Sequence, residues 1–311
     1  MRLIAAFLRL VRLPNLFFIA LTQILFQYCI YYPLFRGDIP AGDTMQFFLL
    51  VAASVLIAAA GYIINDYFDV NIDQVNKPGK IVVDKVIHRR WAIAWHMILS
   101  FAGIVLTALA LPFFEKWYLV IANIAVVILL WIYSTTYKKS LLIGNIIIAL
   151  LTAWTILVIY FSKIDITEVI AAADLERQAK FFRLTILYAS FAFIISLIRE
   201  AVKDMEDMPG DAKYNCHTMP IAWGVNATKI YVAVWLIVLV LMLVVIQAYT
   251  LPYGWWVPII YCILFIILPL INIFSRLFKS SSSNEFHILS NRTKFVMLTG
   301  ILSMVFFGFY L

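Results

Sequence analysis

The chain has 311 residues, 64% of them hydrophobic and only 13% charged, with a mean hydropathy of +0.96. A soluble domain carries roughly half apolar residues and about a quarter charged ones, so the composition excludes a soluble fold and assigns the surplus apolar surface to lipid. The net charge of +7 does not point to nucleic acid, because basic residues of a membrane protein collect in cytoplasmic loops and meet anionic headgroups.

Apolar runs predict an all-α, polytopic membrane protein of nine spans: 14–33, 45–64, 92–113, 117–133, 141–161, 181–199, 229–249, 254–274 and 294–310. The first run is long and lacks a small-residue cleavage site, which makes it a retained helix, opened by Arg12 and Asn15. Span two runs into Asn65-Asp66-x-x-Asp69-x-x-x-Asp73, and Asn76-Lys77-Pro78-Gly79-Lys80 follows, with a turn at Pro78-Gly79 that folds the chain back. Tyr133 and Lys138 end span four. The segment 163–180 reads as an external loop of mixed charge with a short surface helix. Span six runs through Arg199, Glu200 and Lys203 into Asp204-x-Glu206-Asp207-x-x-x-Asp211, and Pro209-Gly210 is predicted to close that helix. Ser280–Ser283 reads as a flexible connector.

Charge orients these spans. With the N-terminus inside, 18 of the 24 Lys and Arg residues fall on the cytoplasmic side and 6 outside. The N-terminus is then cytoplasmic, the C-terminus outside, and both acidic clusters lie at the cytoplasmic face, four spans apart. Their equal spacing hints at a four-helix internal repeat.

The acidic clusters carry the chemistry. Steps of three and four residues put Asp66, Asp69 and Asp73 on one helix face, and likewise Asp204, Asp207 and Asp211. Such stripes repel themselves unless cations neutralise them. Mg²⁺ binds through a few carboxylates plus substrate phosphates, so two converging stripes suit a diphosphate. Lys77, Lys138, Arg199 and Lys203 are placed to neutralise the remaining phosphate charge. An apolar tunnel above would take a polyisoprenoid tail, and an allylic diphosphate satisfies both requirements. Lys85 and Arg90 read as plain cytoplasmic anchors. Cys29, Cys216 and Cys262 lack metal-type spacing and read as apolar filler. His88, His96, His217 and His287 form no pair at ligand spacing, which argues against zinc or haem.

At these residues the chain resembles the UbiA superfamily of intramembrane prenyltransferases. The family's N-D-x-x-D-x-x-x-D motif is matched from Asn65 to Asp73, and its D-x-E-D-x-x-G-D motif from Asp204 to Asp211. Its Y-S-x-x-x-K segment is similar to Tyr133–Lys138, followed by Gly144-Asn145, and Thr218-Met219-Pro220-Ile221 is similar to its T-L-P-I segment. The matches run from about Arg12 to Gly224. The resemblance implies a single domain over 1–311, with nine transmembrane helices around a central cavity open to the cytoplasmic side and to lipid. It implies Mg²⁺, as two ions, held by Asn65, Asp66, Asp69 and Asp73 and by Asp204, Asp207 and Asp211. Lys138 matches a diphosphate-binding position, and Asp69, Asp73, Asp207 and Asp211 join it as the catalytic set. Arg12, Asn15, Lys77, Tyr133, Arg199 and Lys203 are the further substrate-binding candidates.

The implied reaction moves a prenyl group from a polyprenyl diphosphate to a lipophilic acceptor at a prokaryotic plasma membrane. Asn76-Lys77-Pro78 and the form of the second motif are most similar to the branch that prenylates the free hydroxyl of a prenylglycerol phosphate. Where many members continue with Arg-Pro, this chain has Lys80-Ile81, which keeps the charge but loses the bidentate fork. An aromatic acceptor, as in quinone synthesis, is the alternative. A cation-coupled transporter is the competing class, but transporters place ionisable residues near the midplane, and here the acids lie at span ends. A catalytically dead isoprenoid-binding scaffold is the third reading, and the intact acidic motifs argue against it.

Overall fold

The computed structural model describes residues 2–79, 81–164 and 172–311. Among them the β pairing is one isolated bridge, Val83 to Ile87, and the rest is helix and turn. In chain order the helices are α1 (Arg2–Leu10), α2 (Leu13–Leu34), α3 (Asp43–Asn76), α4 (Arg89–Ala110), α5 (Phe113–Thr135), α6 (Ile143–Lys163), α7 (Ala172–Lys213), α8 (Met219–Ala222), α9 (Val225–Thr250), α10 (Trp256–Leu277) and α11 (Ser283–Tyr310). Nine of the described helices are long and apolar enough to cross a membrane, and each overlaps one predicted run.

Two helices outgrow the bilayer. At 1.5 Å per residue, the 34 residues of α3 and the 42 of α7 reach about 50 and 60 Å, against a hydrocarbon core of about 30 Å. The surplus turns can leave the apolar zone while still helical, and the acidic motifs occupy those last turns.

Three expectations need correction. Pro209 does not close α7, which continues to Lys213. Proline removes only its own N–H, and the left-handed residue that ends the segment is Asn215 (φ 54°), after Tyr214 and Cys216 have bonded back to Gly210 and Asp211. Ser280–Ser283 is an ordered cap. Ser282 Oγ accepts from the Glu285 N–H, and Glu285 Oε2 accepts from the Ser282 N–H at 2.9 Å, a reciprocal capping box. The short surface helix expected within 163–180 is the first part of α7, which starts at Ala172; residues 165–171 lie outside the described residues. Helix α1, which the apolar runs did not predict, packs Ala6 and Leu10 into a core and leaves Leu3, Ile4 and Leu8 exposed.

The chain divides into two compact units, with boundaries inside α2, α6 and α7. The first comprises residues 1–24, 35–138 and 154–179. In it α3 packs on α4 and α5 through small residues: Gly103 faces Ile57 and the Ala53 carbonyl, and Gly61 faces Leu130. Apolar helices still carry polar groups, and several of them pair within this unit. Asn123 donates to Thr107 Oγ1 at 2.9 Å and accepts from Trp154 Nε1 at 3.0 Å. Gln23 Nε2 donates to Ser54 Oγ and to the Thr155 carbonyl. Lys163 and Asp43, both buried, pair at 2.6 Å.

The second unit comprises residues 25–34, 139–153 and 180–311, and its core joins α7, α9, α10 and α11. Helix α10 shows how its proline is accommodated. Pro269 offers no N–H to the Phe265 carbonyl, the preceding residues Ile263–Ile267 widen into a π turn, and Thr299 Oγ1 of α11 donates to that carbonyl at 2.9 Å.

Candidate active site

In the first unit, the last turns of α3 gather the first motif. Asn65 and Asp69, one turn apart, are both buried, and Asn65 Nδ2 donates to Asp69 Oδ2 at 2.8 Å. The same Asp69 oxygen accepts from Lys138 Nζ. Lys138 reaches it because α5 ends at Thr135 and a single 3₁₀ turn, Tyr137–Lys139, redirects the chain. Burial opposes the charge on the Lys138 ammonium, but Asp69 outweighs it and, with help from Tyr133, raises the pKa above its ordinary value. Lys138 is therefore a fixed cation at any working pH.

Arg12 is the second fixed cation. It sits in the left-handed region (φ 53°) between α1 and α2, and its carbonyl accepts from the Asn15 N–H at 2.8 Å, which makes Asn15 part of the turn. From there its guanidinium bonds Asp66 Oδ1 at 2.6 Å and lies 5.2 Å from the centre of the Tyr62 ring, one turn earlier on α3. Burial again opposes the charge, and Asp66 beside it raises the Arg12 pKa.

The remaining residues of this region are positioned less directly. Asp73 is half-buried, and the Lys77 N–H bonds its carbonyl at 2.8 Å as α3 ends. The expected turn forms at Pro78-Gly79, and Lys85 Nζ bonds the Pro78 carbonyl at 2.9 Å, so the following loop closes on itself. Arg89 pairs with Asp84 at 2.9 Å and lies 5.7 Å from the Tyr67 ring. Lys80 lies outside the described residues.

In the second unit, α7 carries the second motif. Asp204 accepts from Asn145 Nδ2 of α6 at 2.9 Å, Asp211 is buried, and Asp207 is half-buried. Arg199 pairs with its neighbour Glu200 at 2.5 Å, and Lys203 is half-buried on the same helix. Glu206 is buried against His287 of α11. The backbone N–H of His217 bonds the Lys139 carbonyl at 2.8 Å, fixing the segment that leads into α8.

The sequence motifs assigned no site role to Asn145 or Glu206. Asn145 was visible as half of the Gly144-Asn145 pair. Glu206 stood inside the motif with an unassigned role, and His287, 81 residues away, gave no local signal.

The donor set suits a hard cation. It consists of carboxylate and amide oxygens, and Asn65 Oδ1 is a buried acceptor with no hydrogen-bond partner. Among the described residues no three acidic, His or Cys side chains converge on one metal point; Asp66 and Asp69 instead hold the two cations.

The sequence pattern of the UbiA prenyltransferase family matches residues 25–298. The chain is 29% identical over 266 residues to the digeranylgeranylglyceryl phosphate synthase of Methanosphaera stadtmanae, covering 84% of this chain and 88% of that one. It is 32% identical over 231 residues to the synthase of the same name from Methanospirillum hungatei, covering 74% and 72%. Among solved structures, that of a digeranylgeranylglyceryl phosphate synthase superposes over the full length of both chains with a TM-score of 0.63 at 23% identity. A UbiA homolog from Archaeoglobus fulgidus bound to DMAPP and Mg²⁺ superposes over 96% of this chain and 98% of that one, with a TM-score of 0.55 at 16% identity. At these identities the structural likenesses bear on the fold, and the family pattern decides the membership. With that pattern across most of its length, both acidic motifs in order on α3 and α7, and nine membrane-length helices among the described residues, the chain belongs to the UbiA prenyltransferase family and is an intramembrane prenyltransferase.

Proposed function

We propose that this enzyme transfers a geranylgeranyl group from its diphosphate to the free hydroxyl of a prenylglycerol phosphate, with Mg²⁺, in membrane ether-lipid synthesis. The observation that carries the reading is the pairing of acids and fixed cations at the last turns of α3, within an otherwise apolar helical body. Such a site suits a polyanionic headgroup on an apolar tail. The likeness to curated synthases over about three quarters of the chain supports the acceptor class.

Bond changes follow from the chemistry. The C1–O bond of the allylic diphosphate breaks, and its electron pair leaves with the diphosphate. The acceptor hydroxyl oxygen bonds to C1 as an ether and its proton is released. Arg12 and Lys138 would bind phosphate oxygens, and Lys77, Arg199 and Lys203 would neutralise further diphosphate charge. Asn15 and Tyr133 support Arg12 and Lys138. Asn65, Asp66, Asp69 and Asp73 form one Mg²⁺-binding set, and Asp204, Asp207 and Asp211 the other, for two ions. The metal, when bound, supplies neutralisation of the leaving diphosphate. Fixed cations need no reorganisation as charge develops on the leaving group, and low water activity protects the allylic cation. The 18-to-6 distribution of basic residues supports a cytoplasmic location for both motifs in a prokaryotic plasma membrane.

The test is a product assay in detergent with Mg²⁺, geranylgeranyl diphosphate and a geranylgeranylglyceryl phosphate acceptor, read by mass spectrometry. An Mg²⁺-dependent diether is expected, and Asp69→Ala and Asp207→Ala should each abolish it while the protein still folds. A prenylated aromatic precursor in place of the diether would move the enzyme to quinone synthesis. Wild-type turnover by either variant would remove its carboxylate from the metal set.

A further inference from the structure

Glu206 belongs to the second motif by sequence and not by direction. Asp204, Asp207 and Asp211 share one face of α7. At about 100° per residue, Glu206 points roughly 100° away from Asp207 and 160° away from Asp204. Its carboxylate is about nine-tenths buried and turned towards α11. There His287 Nδ1 lies 2.8 Å from Glu206 Oε1. An ionised carboxylate only accepts, so the imidazole donates. One turn earlier on the same face of α11, Ser283 Oγ donates to the Glu206 backbone carbonyl, also at 2.8 Å. A single residue of α7 is thus held through both its main chain and its side chain.

Two local features give this double hold a purpose. Pro209 has no N–H for the Met205 carbonyl, so α7 loses a hydrogen bond within the motif itself. The Ser282–Glu285 capping box fixes the first turn of α11, which carries Ser283 and leads into His287. Phe286 and Leu289, between and beside them, are buried in the same core as Val202 and Met205 of α7. The weakened stretch of α7 therefore leans on a rigid helix start.

We propose that Ser283 and His287 are positioning residues which, through Glu206, set the rotation of the Asp204–Asp207–Asp211 face and thereby its affinity for Mg²⁺. This rests on the metal-binding role proposed above for that face. Groups behind a ligating carboxylate typically change metal affinity by about 10–100-fold when removed.

The experiment measures Mg²⁺ binding by calorimetry on the purified chain in detergent without substrate, and separately the Mg²⁺ dependence of turnover. His287→Ala and Ser283→Ala are each expected to weaken Mg²⁺ binding about tenfold. The Mg²⁺ concentration for half-maximal turnover should rise by the same factor, with turnover largely recovered at saturating Mg²⁺. His287→Gln, which can still donate to Glu206, should restore most of the affinity. Leu289→Ala controls for stability: it loosens the same helix, lowers Tm and should leave Mg²⁺ affinity unchanged. If His287→Ala fails to fold, Ser283→Ala, which removes a single hydroxyl, decides the matter. Unchanged affinity in the α11 variants, or an equal loss in Leu289→Ala, overturns the proposal. Asp207→Ala separates the two readings. If it loses a bound ion while the α11 variants bind normally, only the brace fails. If it keeps every ion, the metal role of this face fails and the brace with it.

Discussion

Asp69 is the most constrained carboxylate of the first motif. It is 5% exposed, takes an amide N–H from Asn65, and meets Lys138 across 69 residues of sequence. Removing one partner of a buried pair costs more than removing both, because the other charge stays buried alone. Lys138→Met should therefore destabilise the protein by roughly 3 kcal/mol, the low end for a buried pair. Lys138→Met with Asp69→Asn should recover most of that stability while remaining inactive, as read by thermal unfolding and product formation. The pH dependence has a definite sign. A lysine pKa raised in the folded state contributes stability that is complete below the unfolded value, about 10.4, and is lost only as pH rises through the higher folded one. The Tm difference between Lys138→Met and the parent should thus be the same at pH 7 and pH 9. Both residues were legible as candidates from spacing and resemblance. That they pair, and that Arg12 takes Asp66, was not, because no local pattern encodes contacts between distant segments.

At the scale of the element, the lengths of α3 and α7 bring carboxylates to the end of a membrane helix without a break in hydrogen bonding. The sequence marked where the apolar runs stop, and it did not mark that the helices continue. Pro209 looked like a terminator because proline usually ends helices, yet here the neighbouring α11 supplies a donor next to the lost bond. The cap at Ser282 was readable as Ser-x-x-Glu and was obscured by the serine run around it. Helix approach yields a further prediction. A Cβ at Gly103 would lie 2.6 Å from Ile57 Cγ1 and 3.1 Å from the Ala53 carbonyl oxygen. Gly103→Val should therefore overpack the α3–α4 contact and destabilise by about 1–3 kcal/mol. Gly79→Ala, with nothing within 4 Å of the new Cβ, should leave Tm close to the parent's. Differential scanning calorimetry of the two variants checks the contrast.

For the whole molecule, orientation is the property that the basic residues imply most directly. Asn71, exposed within the first motif, offers a reporter. In a background with Cys29, Cys216 and Cys262 replaced, Asn71→Cys should react with an impermeant maleimide in inverted vesicles and resist it in intact cells. The opposite pattern would place the motif, and the proposed diphosphate site, on the outer face.

Composition alone placed this chain in lipid, because no soluble fold can bury so large an apolar fraction, and run length predicted nine spans, matched by nine membrane-length helices among the described residues, because bilayer thickness sets a minimum helix length. Helical periodicity likewise put each set of carboxylates on one face, since that depends only on residues a few steps apart. Tertiary structure decided which cations neutralise Asp66 and Asp69, which asparagine meets Asp204, and which helix holds Glu206. Those contacts join residues far apart along the chain, and their strength comes from burial and geometry that exist only once the helices have packed.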